Sequence, residues 1–169
     1  MDIVKILAYA KLNLTLDVTG KTGEYHDLDS VAVTINLFDK IIAKKRKDKL
    51  VNVTMRGMGS EKLVPEENNA VRAGEAFVKA FSTLGADITI YKEIPMGAGL
   101  GGSSADAAGV LNALAKMYAV KDEKKLKELA DGLGSDTGCT AVPHDEELRK
   151  INSRCHKRNL NCSIILADS

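Results

Sequence analysis

Neither sign of charge dominates this 169-residue chain, in which 24 lysines and arginines face 23 aspartates and glutamates, for a formal net charge of +1. That balance gives no push toward nucleic acid, a membrane surface or acidic partners. No apolar run approaches the length of a membrane span, and Asp2 and Lys5 interrupt the N-terminus where a signal peptide needs an apolar core. A cytoplasmic protein is expected. Cysteine is scarce: Cys139, Cys155 and Cys162 are odd in number and confined to the last quarter, which argues against a disulfide framework. Their spacing with His144 and His156 matches no zinc pattern, so no metal ligand is assigned. There is no internal repeat, and the length suits one ordinary domain with a real core.

The informative stretch is Pro95-Met96-Gly97-Ala98-Gly99-Leu100-Gly101-Gly102-Ser103-Ser104-Ala105. Glycines let the main chain take positive φ and let a ligand approach without meeting a Cβ. Ala105, Ala107, Ala108, Val110, Leu111, Leu114, Ala115 and Tyr118 then continue as a helical pattern, so this is no mere linker. A glycine loop running into a helix N-terminus is an anion site, and phosphate is the usual anion. No Gly-Lys-Ser/Thr follows the glycines, so it is not a Walker A loop, and the spacing is not that of a dinucleotide fingerprint.

Residues 11–18 alternate: Leu12, Leu14, Leu16 and Val18 share one face, and Lys11, Asn13, Thr15 and Asp17 the other. The pattern predicts a half-buried strand with an ammonium and a carboxamide side by side on its polar face. Val31, Val33, Ile35 and Leu37 predict a second strand. Lys44-Lys45-Arg46-Lys47 with Lys49 reads as a solvated hairpin tip between Ile41-Ile42 and Val51, Val53 and Met55, with a polyanion patch as the alternative. Asn68-Asn69 offers a cap for a helix through Ala70, Ala73, Phe77, Val78, Phe81 and Leu84 that ends at Gly85. Ile88, Ile90 and Ile94 form a strand into the loop, and Asp122 caps a short helix through Leu126, Leu129 and Ala130. Strands first, then helices alternating with a strand, predict an α+β fold with early antiparallel strands. Gly134-Ser135-Asp136-Thr137-Gly138 is a second small-residue loop holding one carboxylate.

A phosphate cradle, a Lys/Asn strand face and a late Asp together make a kit for phosphoryl transfer. The chain here resembles the GHMP kinase superfamily, whose phosphate motif is Pro-x-x-x-Gly-Leu-Gly-(Gly)-Ser-Ser-Ala. Ala8-Tyr9-Ala10-Lys11-Leu12-Asn13-Leu14, Gly23-Glu24-Tyr25-His26-Asp27-Leu28 and Gly134-Ser135-Asp136 are similar to the branch that phosphorylates a cytidine-diphosphate-linked polyol for isoprenoid precursors. The resemblance implies a domain like ribosomal protein S5 domain 2, a mixed, mostly antiparallel sheet with helices on one side. It implies ATP and Mg²⁺, a small-molecule substrate, and no nucleic acid or membrane partner. By the same resemblance Lys11 and Asp136 flank the acceptor hydroxyl as catalytic residues, and Asn13, Tyr25 and His26 bind the substrate. Asn69 and the run Pro95, Met96, Gly97, Ala98, Gly99, Leu100, Gly101, Gly102, Ser103 and Ser104 hold ATP. Taken singly, Asp136 fits an Asx-turn and Tyr25 fits packing.

The resemblance covers residues 8 to about 138, the expected N-terminal ATP-binding domain being 1–138. From Asp145 to Asn161 the chain is nearly all polar without clean periodicity, so 139–169 is expected to be an aberrant, poorly ordered tail, with the family's second lobe expected to be missing. A frame-shifted or damaged coding sequence after Gly138 is the expected cause. Two functions follow: a kinase of the cytidine-linked alcohol, or a nucleotide-binding remnant without chemistry. Another small-molecule kinase of the superfamily is the further alternative.

Overall fold

A computed structural model describes residues 1–22, 25–58, 68–134, 154–157 and 160–166, with the backbone alone for 21–22, 25–29, 154–157 and 160–166. Among the described residues seven strands form one sheet: β1 (Ile3–Asn13), β2 (Asp17–Thr22), β3 (Tyr25–Lys45), β4 (Val51–Gly57), β5 (Ala86–Lys92), β6 (Arg154–Lys157) and β7 (Leu160–Leu166). Three helices among the described residues, α1 (Asn69–Phe81), α2 (Gly102–Tyr118) and α3 (Glu123–Leu133), lie on one side of it, α3 packing against α1 and α2.

The 21-residue strand β3 organises the sheet. Along one edge it pairs antiparallel with β2 and then β1, Val4 lying opposite Ala43. Along the other it pairs parallel with β7 and antiparallel with β5, Ile41 lying opposite Ile90. The expected antiparallel early strands are present. The expected hairpin is not, because β4 pairs with β5, in parallel. β4, α1 and β5 make a strand–helix–strand unit, and a parallel pair needs such a crossover. The basic run therefore spans from β3 past the start of β5 to β4. There Arg46 pairs with Asp48 at 2.7 Å and Asp87 at 2.6 Å, and its amide donates to the Gly85 carbonyl at 3.1 Å.

Local rules explain the helices. The Asn68 side chain accepts from the Ala70 amide at 2.9 Å, and Asp122 accepts from Lys125 at 3.0 Å, each relieving an orphan donor of the first turn. α1 buries Ala70, Ala73, Phe77 and Val78, and ends at Ser82 in the left-handed region. α2 is buried nearly all round, from Ala105 to Met117, between the sheet and the other helices. Its small residues permit that closeness: a Cβ on Gly109 would stand 2.4 Å from the Ile41 side chain and 3.2 Å from Ala8.

Two further expectations are corrected. Residues 11–18 are not one half-buried strand: β1 stops at Asn13, β2 begins at Asp17, and Leu12, Leu14, Leu16 and Val18 are 42, 58, 56 and 65% exposed. The core under the helices ends at Ala10, so the same face of the strand runs on without it. Within 139–169, expected as a poorly ordered tail, Arg154–Lys157 and Leu160–Leu166 are strands, and β7 lies between β3 and β6. The run Ser163-Ile164-Ile165-Leu166, rich in β-branched and apolar residues, suits a strand, and its short length hid it behind the polar residues upstream.

Candidate active site

β5 ends at Lys92, and α2 starts at Gly102 after a loop with Gly97, Gly99 and Gly101 at φ +71°, +73° and +70°. Side chains rarely adopt these values. A Cβ on Gly97 or Gly99 would meet nothing within 4 Å, so their backbone lies open to a ligand. α2 begins from Gly101 with no side-chain cap among the described residues and no acidic residue in its first turn. A helix start leaves its first amides without intrahelical partners and carries the positive end of the dipole. Pro95 to Ser104 line a cleft of about 450 Å³ together with Met55, Asn68, Ile94, Lys92 and Asp106. This constellation can hold an anion of phosphate size by backbone amides.

The structure brings the predicted Lys11 to this loop, with Asn13 beside it. The Lys11 amide donates to the Leu100 carbonyl at 3.1 Å, and its stem lies against Gly101, where a Cβ would be 3.0 Å from Lys11 Cγ. Lys11 Nζ donates to Asn13 Oδ1 at 3.2 Å. Asn69, the first residue of α1, donates from Nδ2 to Ser103 Oγ at 3.2 Å and so joins the two helix starts. Tyr25 and His26 lie on β3 opposite Thr22 and Lys21, and their side chains fall outside the described residues. Asp136 also lies outside them.

Beneath the loop stands a charged cluster that sequence reasoning missed. Lys92 Nζ donates to Asp39 Oδ2 and to Asp106 Oδ2, and all three side chains are buried. Asp39 Oδ1 accepts from the amides of Glu93 at 2.6 Å and Ile94 at 2.9 Å. Burial works against the Lys92 ammonium, but Asp106 and Asp39 outweigh it and hold its pKa above the ordinary lysine value. Burial pushes the Asp106 carboxyl up to about 7, against the opposing pull of Lys92. A signal existed in the sequence. Lys92 follows Ala86, Ile88 and Ile90 in phase, Asp39 precedes Ile41 and Ala43 in phase, and Asp106 interrupts a run of alanines. Charges of opposite sign at three core-facing positions must pair.

Residues 68–143 match the family model "GHMP kinases N terminal domain". The chain is 41% identical over 140 residues to 4-diphosphocytidyl-2-C-methyl-D-erythritol kinase of Desulfitobacterium hafniense (strain Y51), covering 79% of this chain and 45% of the relative. It is 39% identical over 137 residues to the protein of that name from Clostridium beijerinckii (strain ATCC 51743 / NCIMB 8052), covering 79% and 48%. A crystal structure of 4-(cytidine 5'-diphospho)-2C-methyl-D-erythritol kinase superposes with a TM-score of 0.64 at 35% identity, over 81% of this chain and 48% of that one. Homoserine kinase from Cytophaga hutchinsonii ATCC 33406 shares the fold, with a TM-score of 0.63 at 18% identity over 82% of this chain and 42% of that one. The chain thus spans slightly less than half the length of these relatives. With a glycine loop opening an uncapped helix, Lys11 against it, and these matches, the chain belongs to the GHMP kinase family and carries its N-terminal domain.

Proposed function

We propose that this chain supplies the ATP-phosphate-binding wall of a small-molecule kinase whose acceptor is the 2-hydroxyl of 4-diphosphocytidyl-2-C-methyl-D-erythritol. The observation that carries the reading is the triple of left-handed glycines leading into the uncapped start of α2, with Lys11 packed on the last of them. In the proposed reaction the acceptor oxygen attacks the γ-phosphorus of ATP, the bond from that phosphorus to the β–γ bridging oxygen breaks, and ADP leaves. Asp136 takes or orients the hydroxyl proton. Lys11 places positive charge where negative charge is spread in a loose transition state, a matter of positioning and electrostatics. The loop amides from Gly99 to Ser104 hold the nucleotide phosphates, Asn69 steadies Ser103, and Asn13, Tyr25 and His26 bind the acceptor. Among the described residues no three His, Cys, Asp or Glu side chains cluster to hold a metal. Mg²⁺ entering with ATP needs no such cluster, since it keeps several waters and binds substrate phosphates with few protein ligands.

The similarity to kinases of one name at about 40% identity supports the cytidine-linked acceptor and a place in isoprenoid precursor synthesis. No helix among the described residues is long and apolar enough to cross a membrane. The alternative reading is nucleotide binding without turnover. One assay separates them. The chain is mixed with ATP, Mg²⁺ and either the cytidine-linked acceptor or acceptor alcohols without cytidine, and ADP is measured. ADP formed with the cytidine acceptor supports the kinase, binding without ADP supports the second reading, and a better cytidine-free acceptor overturns the assigned substrate.

A further inference from the structure

The cluster of Lys92, Asp39 and Asp106 belongs to no element of the chemistry above, yet it touches both feet of the loop. Lys92 is the last residue of β5, and Asp39 holds the next two amides, those of Glu93 and Ile94. Asp106 stands near the start of α2. A Cβ on Gly102 would lie 3.0 Å from the Ile94 side chain and 3.7 Å from Lys92 Nζ, so the helix start sits directly on this cluster. The two carboxylates are not equivalent. Asp39 is served on both oxygens, whereas Asp106 Oδ1 is buried with no hydrogen-bond partner among the described residues. With both ionised, two negative charges face one positive charge under a loop built to receive an anion. A buried oxygen without a donor is costly as a carboxylate and far less so as an acid.

We propose that Lys92, Asp39 and Asp106 are positioning residues of the anion cradle, fixing the end of β5 against the first turn of α2, and that an anion enters the loop together with one proton on Asp106. The inference rests on the phosphate reading of the loop. The charged groups facing Asp106 among the described residues are Lys92 from β5 and Asp39 from β3, while β1 brings Lys11 to the loop at Gly101. Burial pushes the Asp106 carboxyl up to about 7, so the proton changes hands near neutrality. Protonation turns the cluster from net negative to neutral and removes a repulsion from beneath the phosphates.

The test is titration of the full chain with ATP from pH 6.5 to 8.5, in the wild type and in Asp106→Asn, whose cluster is neutral at every pH. ATP's own titration is common to both and cancels in the comparison. If the bound anion raises the Asp106 pKa by one unit from about 7, the wild type loses about sixfold more affinity over this range than the variant does. At pH 8.5 Asp106→Asn binds at least as tightly as the wild type. Identical pH profiles, or weaker binding by Asp106→Asn at pH 8.5, overturn the linked proton. Amide exchange tests the positioning: in Asp39→Asn and Lys92→Met, exchange at Glu93, Ile94 and the first turn of α2 quickens about tenfold while α3 is unmoved. Should Lys92→Met fail to fold, Asp39→Asn decides, and unchanged exchange there overturns the positioning role. A wild type that binds no ATP at any pH overturns the phosphate reading and this proposal with it. A wild type that binds with the profile of Asp106→Asn overturns the linked proton alone.

Discussion

Gly101→Val strikes the loop where its conformation and its packing coincide. The residue sits at φ +70°, where an L side chain costs about 1–2 kcal/mol and a β-branched one more. Its new Cβ would meet Lys11 Cγ at 3.0 Å and Cε at 3.3 Å, so the Lys11 stem must move by a few tenths of an ångström. Together these effects amount to about 2–3 kcal/mol. If the loop keeps its shape, the cost appears as stability, a fall of about 4–12 °C in Tm for a chain of this size. If the loop relaxes, the cost appears as ATP affinity, and 2 kcal/mol is about thirtyfold in Kd. Gly97→Ala is the control, at φ +71° with nothing within 4 Å of its Cβ, and costs about 1 kcal/mol without moving Lys11. Thermal unfolding and an ATP titration on the same samples measure both outcomes. If Gly101→Val matches the wild type in Tm and in affinity, the reasoning from φ and from Lys11 is wrong.

Three other outcomes are expected. Gly85→Ala destabilises by more than 3 kcal/mol in urea unfolding, because its Cβ would lie 1.8 Å from the Leu50 carbonyl oxygen, which is backbone and cannot step aside. The raised pKa of Asp106 fixes a sign. Between about pH 4 and 7 the folded chain holds a proton on Asp106 that the unfolded chain has released, so this group's contribution to stability falls as pH rises to about 7 and is level above. Asp106→Asn removes that slope, as urea midpoints at pH 5 and pH 8 will show. In a full-length relative with matching residues, neutralising the equivalents of Lys11 or Asp136 lowers kcat by orders of magnitude with little change in KM, and near-normal turnover would refute their roles.

Helices and the loop were legible because their signals are local. Asn68 caps the helix it precedes, Ala70, Ala73 and Phe77 repeat at helical spacing, and the glycines before Gly102 announce positive φ. Pairing was not legible in the same way. Val51, Val53 and Met55 look equally ready to pair with Ile41-Ile42, and only the crossover through α1 puts β5 between them. The exposure of Leu12, Leu14 and Leu16 could not be read either, since alternation defines two faces without saying how far the helices reach. Ile164 and Ile165 form a strand too short to stand out from its polar surroundings. For the site, the sequence pointed to Lys11, Asn13, Asn69 and the loop as neighbours, and the structure joins them. Lys92, Asp39 and Asp106 were harder to read: their phase with core residues was visible, but each charge looks ordinary until burial from three different elements brings them together.

The central claim is that the loop and the first turn of α2 bind the phosphates of ATP. Amide NMR spectra of the ¹⁵N-labelled chain, recorded as ATP is added, test it most directly. The account predicts saturable shifts concentrated at Gly97 to Ser104 and at Lys11, with adenosine alone leaving those amides in place. Saturable shifts centred elsewhere, or none at millimolar ATP, would contradict it.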